Sequence, residues 1–279
     1  MEPWAVKRFS MKHHFQVFKL LFRNSLIREM NFAANFWLWL LTEFLWFIAQ
    51  VGMIEVIFSH VNSVGDWNKW HVILLMGTHQ ITAQLFQAFF YMNLANLPEL
   101  IRTGKLDFLL LQPVNAQFLV STKQFGFDNL INTAVGIGFV LFASHQLDLH
   151  PSGTQIFLYL FTILCGVGIH YSILFSLVTL AFWIVKAQGM IYGYYNLMNL
   201  ARYPESVFLQ APKVLRILFS VFIPIMVVAN VPTRLLAEIS TGTPILWLSG
   251  SLLIGTGVSL WGSNAFWKYA LRSYTSASS

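Results

Sequence analysis

Residues 154–185 read TQIFLYLFTILCGVGIHYSILFSLVTLAFWIV, a run without a single Asp, Glu, Lys or Arg. A helix needs about 20 mostly apolar residues to cross the hydrocarbon layer of a bilayer, so this run crosses with length to spare. Five further stretches qualify, at 32–58, 70–94, 119–144, 207–229 and 244–266. Turn-forming groups stand between them, among them Asn62-Ser63-Val64-Gly65-Asp66 and His150-Pro151-Ser152-Gly153. The expected fold is all-α: a polytopic membrane protein with six transmembrane helices.

Composition agrees. Of 279 residues, 56% are hydrophobic and only 10% charged. An average soluble domain carries about 25% charged residues, so this chain cannot clothe a globular surface in water, and a soluble enzyme is excluded. Cys165 is the single cysteine and forms no intramolecular disulfide framework.

The net charge of +6 is explained by topology. With the N-terminus cytoplasmic, the inner segments hold Lys7, Arg8, Lys12, Lys19, Arg23, Arg28, Arg102, Lys105, Lys123, Lys186, Arg202, Lys213, Arg216, Lys268 and Arg272. Only Lys69 and Arg234 fall outside. This positive-inside bias puts both termini in the cytoplasm, and it leaves no basic patch for nucleic acid. The first apolar run begins after about 30 residues and is too long for a signal-peptide core. It is expected to remain as the first span.

Ahead of that span, over 6–30, Met11, Phe15, Phe18, Phe22 and Leu26 recur at steps of four and three, with Lys12, Gln16, Lys19 and Arg23 on a neighbouring face. Such spacing predicts an amphipathic helix in the headgroup layer. Two units are expected: an interface helix over 1–31 and a six-span domain over 32–279. Between spans two and three, the segment 96–118 carries both charge signs and is longer than a plain bundle connection of about 2–8 residues. Pro98, Gly104 and Pro113 predict a short surface helix, a break and a second short segment. The segment 186–206, with its tyrosines, is expected at the inner interface, and the outer loops at 59–69, 145–153 and 230–243 are short.

A few polar residues fall at membrane depth. Glu43 lies within the first span, where a charge costs about 2.5–3.5 kcal/mol on insertion scales, so it is expected to face the bundle or a partner subunit. In span two, Gln80, Gln84, Gln87 and Tyr91 form one stripe beside His79, either lining a polar path or joining helices. Gly168, Ser172, Ser176 and Thr179 in span four, and Ser251, Gly255, Ser259 and Gly262 in span six, form small faces suited to close packing.

Gly104-Lys105 lacks the other residues of a phosphate loop, since Glu99 and Leu106 occupy the positions of its leading Gly and its Ser or Thr. The histidines show no ligand spacing for a metal. There is no nucleophile elbow and no pair of intramembrane carboxylates on one helical face. The chain is therefore read as a non-enzyme with no cofactor or metal of its own.

With these features the chain resembles the membrane subunit of type-2 ABC exporters, and within them a bacterial permease branch. The residues that carry the resemblance are Gly104-Lys105-Leu106-Asp107-Phe108-Leu109-Leu110-Leu111-Gln112-Pro113, matching Gly-x-Leu-Asp-x-x-Leu-x-x-Pro, then Arg202-Tyr203-Pro204, the prolines Pro224 and Pro232, and the tail Arg272-Ser273-Tyr274-Thr275-Ser276-Ala277-Ser278-Ser279. The resemblance implies a permease in the bacterial inner membrane, surrounded by lipid and working as a dimer with a second permease subunit, identical or homologous. It implies a separate ABC ATPase subunit that holds ATP and Mg. It also implies that the interface helix, through Phe15, Lys19 and Arg23, and the loop, through Pro98, Glu99, Arg102, Gly104, Lys105, Asp107 and Pro113, touch that ATPase. Export would proceed by ATP-driven alternating access. The rival classes are an ion-coupled secondary carrier, for which Glu43 is the one candidate relay group, and a membrane-embedded enzyme.

Overall fold

A computed structural model describes residues 11–31, 33–184, 188–204, 212, 225–237 and 245–274. Among them there is no β-strand. The helices are α1 (Met11–Asn31), α2 (Ala33–Phe58), α3 (Lys69–Phe86), α4 (Met92–Arg102), α5 (Leu106–Leu110), α6 (Ala116–Thr122), α7 (Phe127–Gln146), α8 (Gly153–Thr179), α9 (Gln188–Met198), α10 (Ile225–Ala237) and α11 (Ile245–Arg272). Trp37–Phe58, Phe127–Gln146 and Gly153–Phe182 are long and apolar enough to cross a membrane, and Val227–Ala237 is a shorter apolar helix. The expected fifth span, 207–229, lies outside the described residues except at its end.

Local chemistry sets the helix starts. Asn68 caps α3, its side-chain oxygen accepting from the His71 amide at 2.9 Å while the Asn68 amide donates to the His71 ring. Ser152 does the same for α8, accepting from the Gln155 amide as its own amide donates to Gln155 Oε1 at 2.7 Å. These reciprocal caps satisfy amides that a helix start leaves open.

α3 and α4 run on as one rod through a single π-helical turn, Gln87–Tyr91. At 1.5 Å per residue the rod from Lys69 to Arg102 is about 50 Å long, against a hydrocarbon core of about 30 Å. A rod of that length exceeds the thickness of such a core. Pro98 does not open the expected short helix: it lies buried inside α4, which runs on from α3 through the π turn.

Close glycine contacts hold the centre together. A Cβ on Gly77 of α3 would meet the Gly136 carbonyl and the Val140 amide of α7 at 3.1 Å, and a Cβ on Gly136 would meet the Gly77 carbonyl at 3.1 Å. On α8, Gly166 faces Val228 of α10 and Gly168 faces Thr256 of α11. Backbones approach this closely only where side chains are absent. The stripe expected on span six differs: nothing lies within 4 Å of a Cβ on Gly255 or Gly262. α11 instead buries Leu252, Thr256, Ser263, Trp267 and Ala270.

Two expected loops enter the bundle. Residues 188–204 pack one face into the bundle, with Ile191, Tyr194, Met198, Ala201 and Pro204 buried and Tyr192 and Tyr203 exposed, and the Tyr194 ring packs against Phe86 of α3. The 230–243 segment is helical as far as Ala237, with Asn230, Thr233 and Arg234 buried. At that end Arg234 lies over the fully buried Trp67 ring, 5.4 Å from its centroid, and Lys69 pairs with Glu55. The two basic residues assigned to the outer side thus sit at the same end of the bundle.

Candidate functional site

At the opposite, basic end, three elements converge on the short segment Gln124-Phe125-Gly126. A π turn is one residue wider than an α turn and displaces main-chain bonding. Here the Ala88 carbonyl within that turn accepts from the Gly126 amide at 2.9 Å. One turn on, Asn93 donates to the Gln124 carbonyl at 2.7 Å and accepts from the Gln124 amide at 2.8 Å. The Phe125 amide donates to Ser25 of α1 at 3.2 Å. Phe125 itself is buried among Phe18 and Phe22 of α1 and Phe89. The interface helix is therefore seated on the bundle through Phe18, Phe22 and Ser25. Phe15, Lys19 and Arg23 remain exposed along it.

The loop beyond α4 is built to hold a shape. Glu99 and Arg102 form a two-pronged ion pair at 2.7 and 3.0 Å, and that fork holds the Glu99 carboxyl below the usual carboxylate range. Gly104 takes φ 69°, the left-handed conformation that ends a helix most cheaply when the residue lacks a Cβ. α5 follows, with Leu106 buried beneath it. Phe108 and Leu111 are 69% and 77% exposed at the tip, and Lys105 and Pro113 are also exposed. Asp107 turns back toward the C-terminal segment. Burial and the neighbouring Asp107 carboxylate push the Tyr274 hydroxyl up to about 12, and the Tyr274 ring stands edge-on to Phe182. On the far side of the loop, Gln117 and Ser121 of α6 bond the Tyr171 hydroxyl of α8 at 3.1 and 2.9 Å.

Beside this junction lies a cavity of about 350 Å³. Glu43, Gln87 and Tyr91 line it with Arg28, Trp39, Asp128 and Tyr195, and Gln124-Phe125-Gly126 forms one wall. Of the residues expected on a path, Glu43 and Gln87 are brought together here. His79 and Gln84 are buried in the core and Gln80 is half-buried; none of the three lines the cavity. Gln87 and Tyr91 belong to the π turn at the level of the cavity, whereas Gln80 and Gln84 stand earlier on α3.

Arg202 lies inside the bundle, donating to the Asn199 carbonyl at 2.9 Å and also to the Asn199 side chain. It is near enough to Glu43 and to His79 to interact with both electrostatically. The Tyr203 carbonyl accepts from Asn230 of α10 at 3.3 Å, Pro204 is buried beside them, and Pro232 is buried within α10. Pro224 lies outside the described residues. Sequence reasoning did not single out Ser25, Asn93, Gln124, Asp128 or Tyr195 for the site. Neither Asn93 nor Gln124 stands in a motif; the one available signal was a side chain able to both donate and accept near the end of a span.

A family model described as an ABC-2 family transporter protein matches residues 44–278. No curated protein and no solved structure matches the chain.

Proposed function

The chain belongs to the ABC-2 family transporters, and from that premise we propose that it is the permease subunit of an ATP-driven exporter in the bacterial inner membrane, with six spans and both termini cytoplasmic. It works as a dimer with a second permease copy or homologue, and each copy is driven by a separate ATPase subunit that binds ATP and Mg. The observation that supports this best is the tip of the α4–α5 loop. Phe108 and Leu111 are set out to solvent on a rigid mount, the Glu99–Arg102 clamp on one side and the Asp107–Tyr274 approach on the other. Large apolar side chains presented this way suit a partner surface.

In this reading the ATPase grips the tip and the exposed Lys19–Arg23 face of α1. A push on α5 travels along the continuous α3–α4 rod, and the π turn, bonded to Gly126, passes it to α7 and to the seated interface helix. Packed helices shift between discrete arrangements rather than deforming smoothly. Copurification tests the proposal: the full chain expressed with the ATPase encoded beside it should pull that ATPase down. Loss of the ATPase on Phe108→Ser/Leu111→Ser, with the permease still folded, is the expected result. An unaltered yield of ATPase from that variant, together with unaltered ATP hydrolysis, counts against it.

A further inference from the structure

The lining of the cavity beside the junction specifies a ligand. Glu43 and Asp128 stand close enough to repel one another, and neither forms an ion pair with a described residue. Asp128 accepts a hydrogen bond from Asn129 at 3.0 Å, a neutral partner. Arg202 acts on Glu43 only through space. Tyr91 and Tyr195 line the same cavity, their rings 5.9 Å apart and tilted by 55°. Trp39 adds a third aromatic wall and is 54% exposed on α2. The exposed Arg28 also lines the cavity, which leaves two half-buried carboxylates to one guanidinium, and the excess carboxylate together with the electron-rich rings forms a receptor for an organic cation. A volume of about 350 Å³ falls at the lower end of small-ligand sites, about 300–1,000 Å³, enough for a headgroup but not for a whole lipid.

The apolar part of such a ligand has somewhere to go. Trp39 belongs both to the cavity wall and to the exposed apolar surface of α2, which includes Leu38 and Leu41, so the cavity wall adjoins a surface suited to acyl chains. We propose that this cavity binds the ammonium headgroup of an amphiphile whose chains remain in the bilayer, with Glu43 and Asp128 supplying the counter-charge and Tyr91, Tyr195 and Trp39 the aromatic cage. This names the substrate class for the permease reading and rests on it. The amphiphile is either a membrane lipid with an amine headgroup or a single-chain quaternary amine taken up from water.

The full-length protein, purified from nanodiscs of equal phosphatidylethanolamine and phosphatidylglycerol, would be examined by native mass spectrometry for retained lipid. Hexadecyltrimethylammonium would then be added as competitor. Preferential retention of phosphatidylethanolamine identifies the lipid source. Binding of the quaternary amine alone identifies the soluble source and equally supports the site. In Glu43→Gln/Asp128→Asn the preference should weaken about tenfold. Retention of phosphatidylglycerol at or above either ammonium ligand in the wild-type protein overturns the proposal, and that arm needs no variant to fold. An unchanged preference in a folded double variant overturns it as well. Because no ATPase is present, failure here is separable from failure of copurification, which alone tests the permease reading.

Discussion

Asn93 and Gln124 exchange two hydrogen bonds, side chain to main chain, at 2.7 and 2.8 Å across the base of the loop. The carboxamide supplies one donor and one acceptor to a peptide that no helix serves, so the last turns of the α3–α4 rod and the approach to α7 move as a unit. Replacing Asn93 with Leu leaves both Gln124 groups unpaired. An unsatisfied buried polar group costs about 1–3 kcal/mol. Asn93→Leu should lower the unfolding temperature in detergent by several degrees, and Asn93→Asp, which keeps the acceptor, should lower it less. Equal unfolding temperatures for wild type and Asn93→Leu would show that the pair holds nothing.

At the crossing of α3 and α7, a methyl group on Gly77 or Gly136 would press on main-chain atoms 3.1 Å from either Cβ position, so the two backbones would have to give by a few tenths of an ångström. Gly77→Ala or Gly136→Ala should destabilise the protein by about 1–3 kcal/mol, the usual range for overpacking. Gly138→Ala, whose Cβ meets nothing within 4 Å, should be neutral or slightly stabilising through helix propensity. Thermal unfolding of the three variants side by side reads out the difference.

For the loop, Arg102→Ala/Asp107→Ala removes one member from each of its two mounts, the Glu99 clamp and the Tyr274 approach. ATPase copurification should fall severalfold while the permease stays folded, because the exposed Glu99–Arg102 pair adds little to global stability. Substrate-stimulated ATP hydrolysis at the wild-type rate in this variant would remove the loop from the coupling path.

Tyr274 offers a titration. Its hydroxyl is held up to about 12 by burial and by Asp107, against an ordinary value of 10.0. The folded protein therefore resists ionisation that the unfolded chain allows. This group's contribution to stability is complete below about pH 10 and is lost as the pH rises toward 12. Asp107→Asn removes the carboxylate but not the burial, so the titration of Tyr274 should move down part of the way to 10. A fluorotyrosine label followed by NMR, assigned with Tyr274→Phe, measures it.

Much of the fold was legible because a membrane makes the rules few. Span four is apolar throughout, and residues 153–182 form one helix. The ion pair Glu99–Arg102 and the break at Gly104 follow from spacing and from the need for positive φ. Lys69 and Arg234, the two basic residues set apart by counting, do share one end of the bundle. Within 188–204 the tyrosines suit an interface and a buried position equally, and only tertiary contact puts Tyr194 against His170 at 2.7 Å and Phe86 while Tyr192 stays exposed. Gln84 and Gln87 share one stripe, but the cavity lies level with Gln87 and Tyr91 while Gln84, a turn earlier on α3, is buried in the core.

The sequence by itself determined that the chain is a helical membrane protein, which end gathers its charge, and where the loop after α4 breaks at Gly104. Those properties depend on hydrophobic length and charge placement, quantities that are additive along a chain. Tertiary structure alone decided that Glu43, Asp128, Tyr91 and Tyr195 share a cavity and that α1 is seated on Phe125. Those residues come from four separate segments, and their meeting depends on helix packing and glycine contacts, which no local pattern encodes.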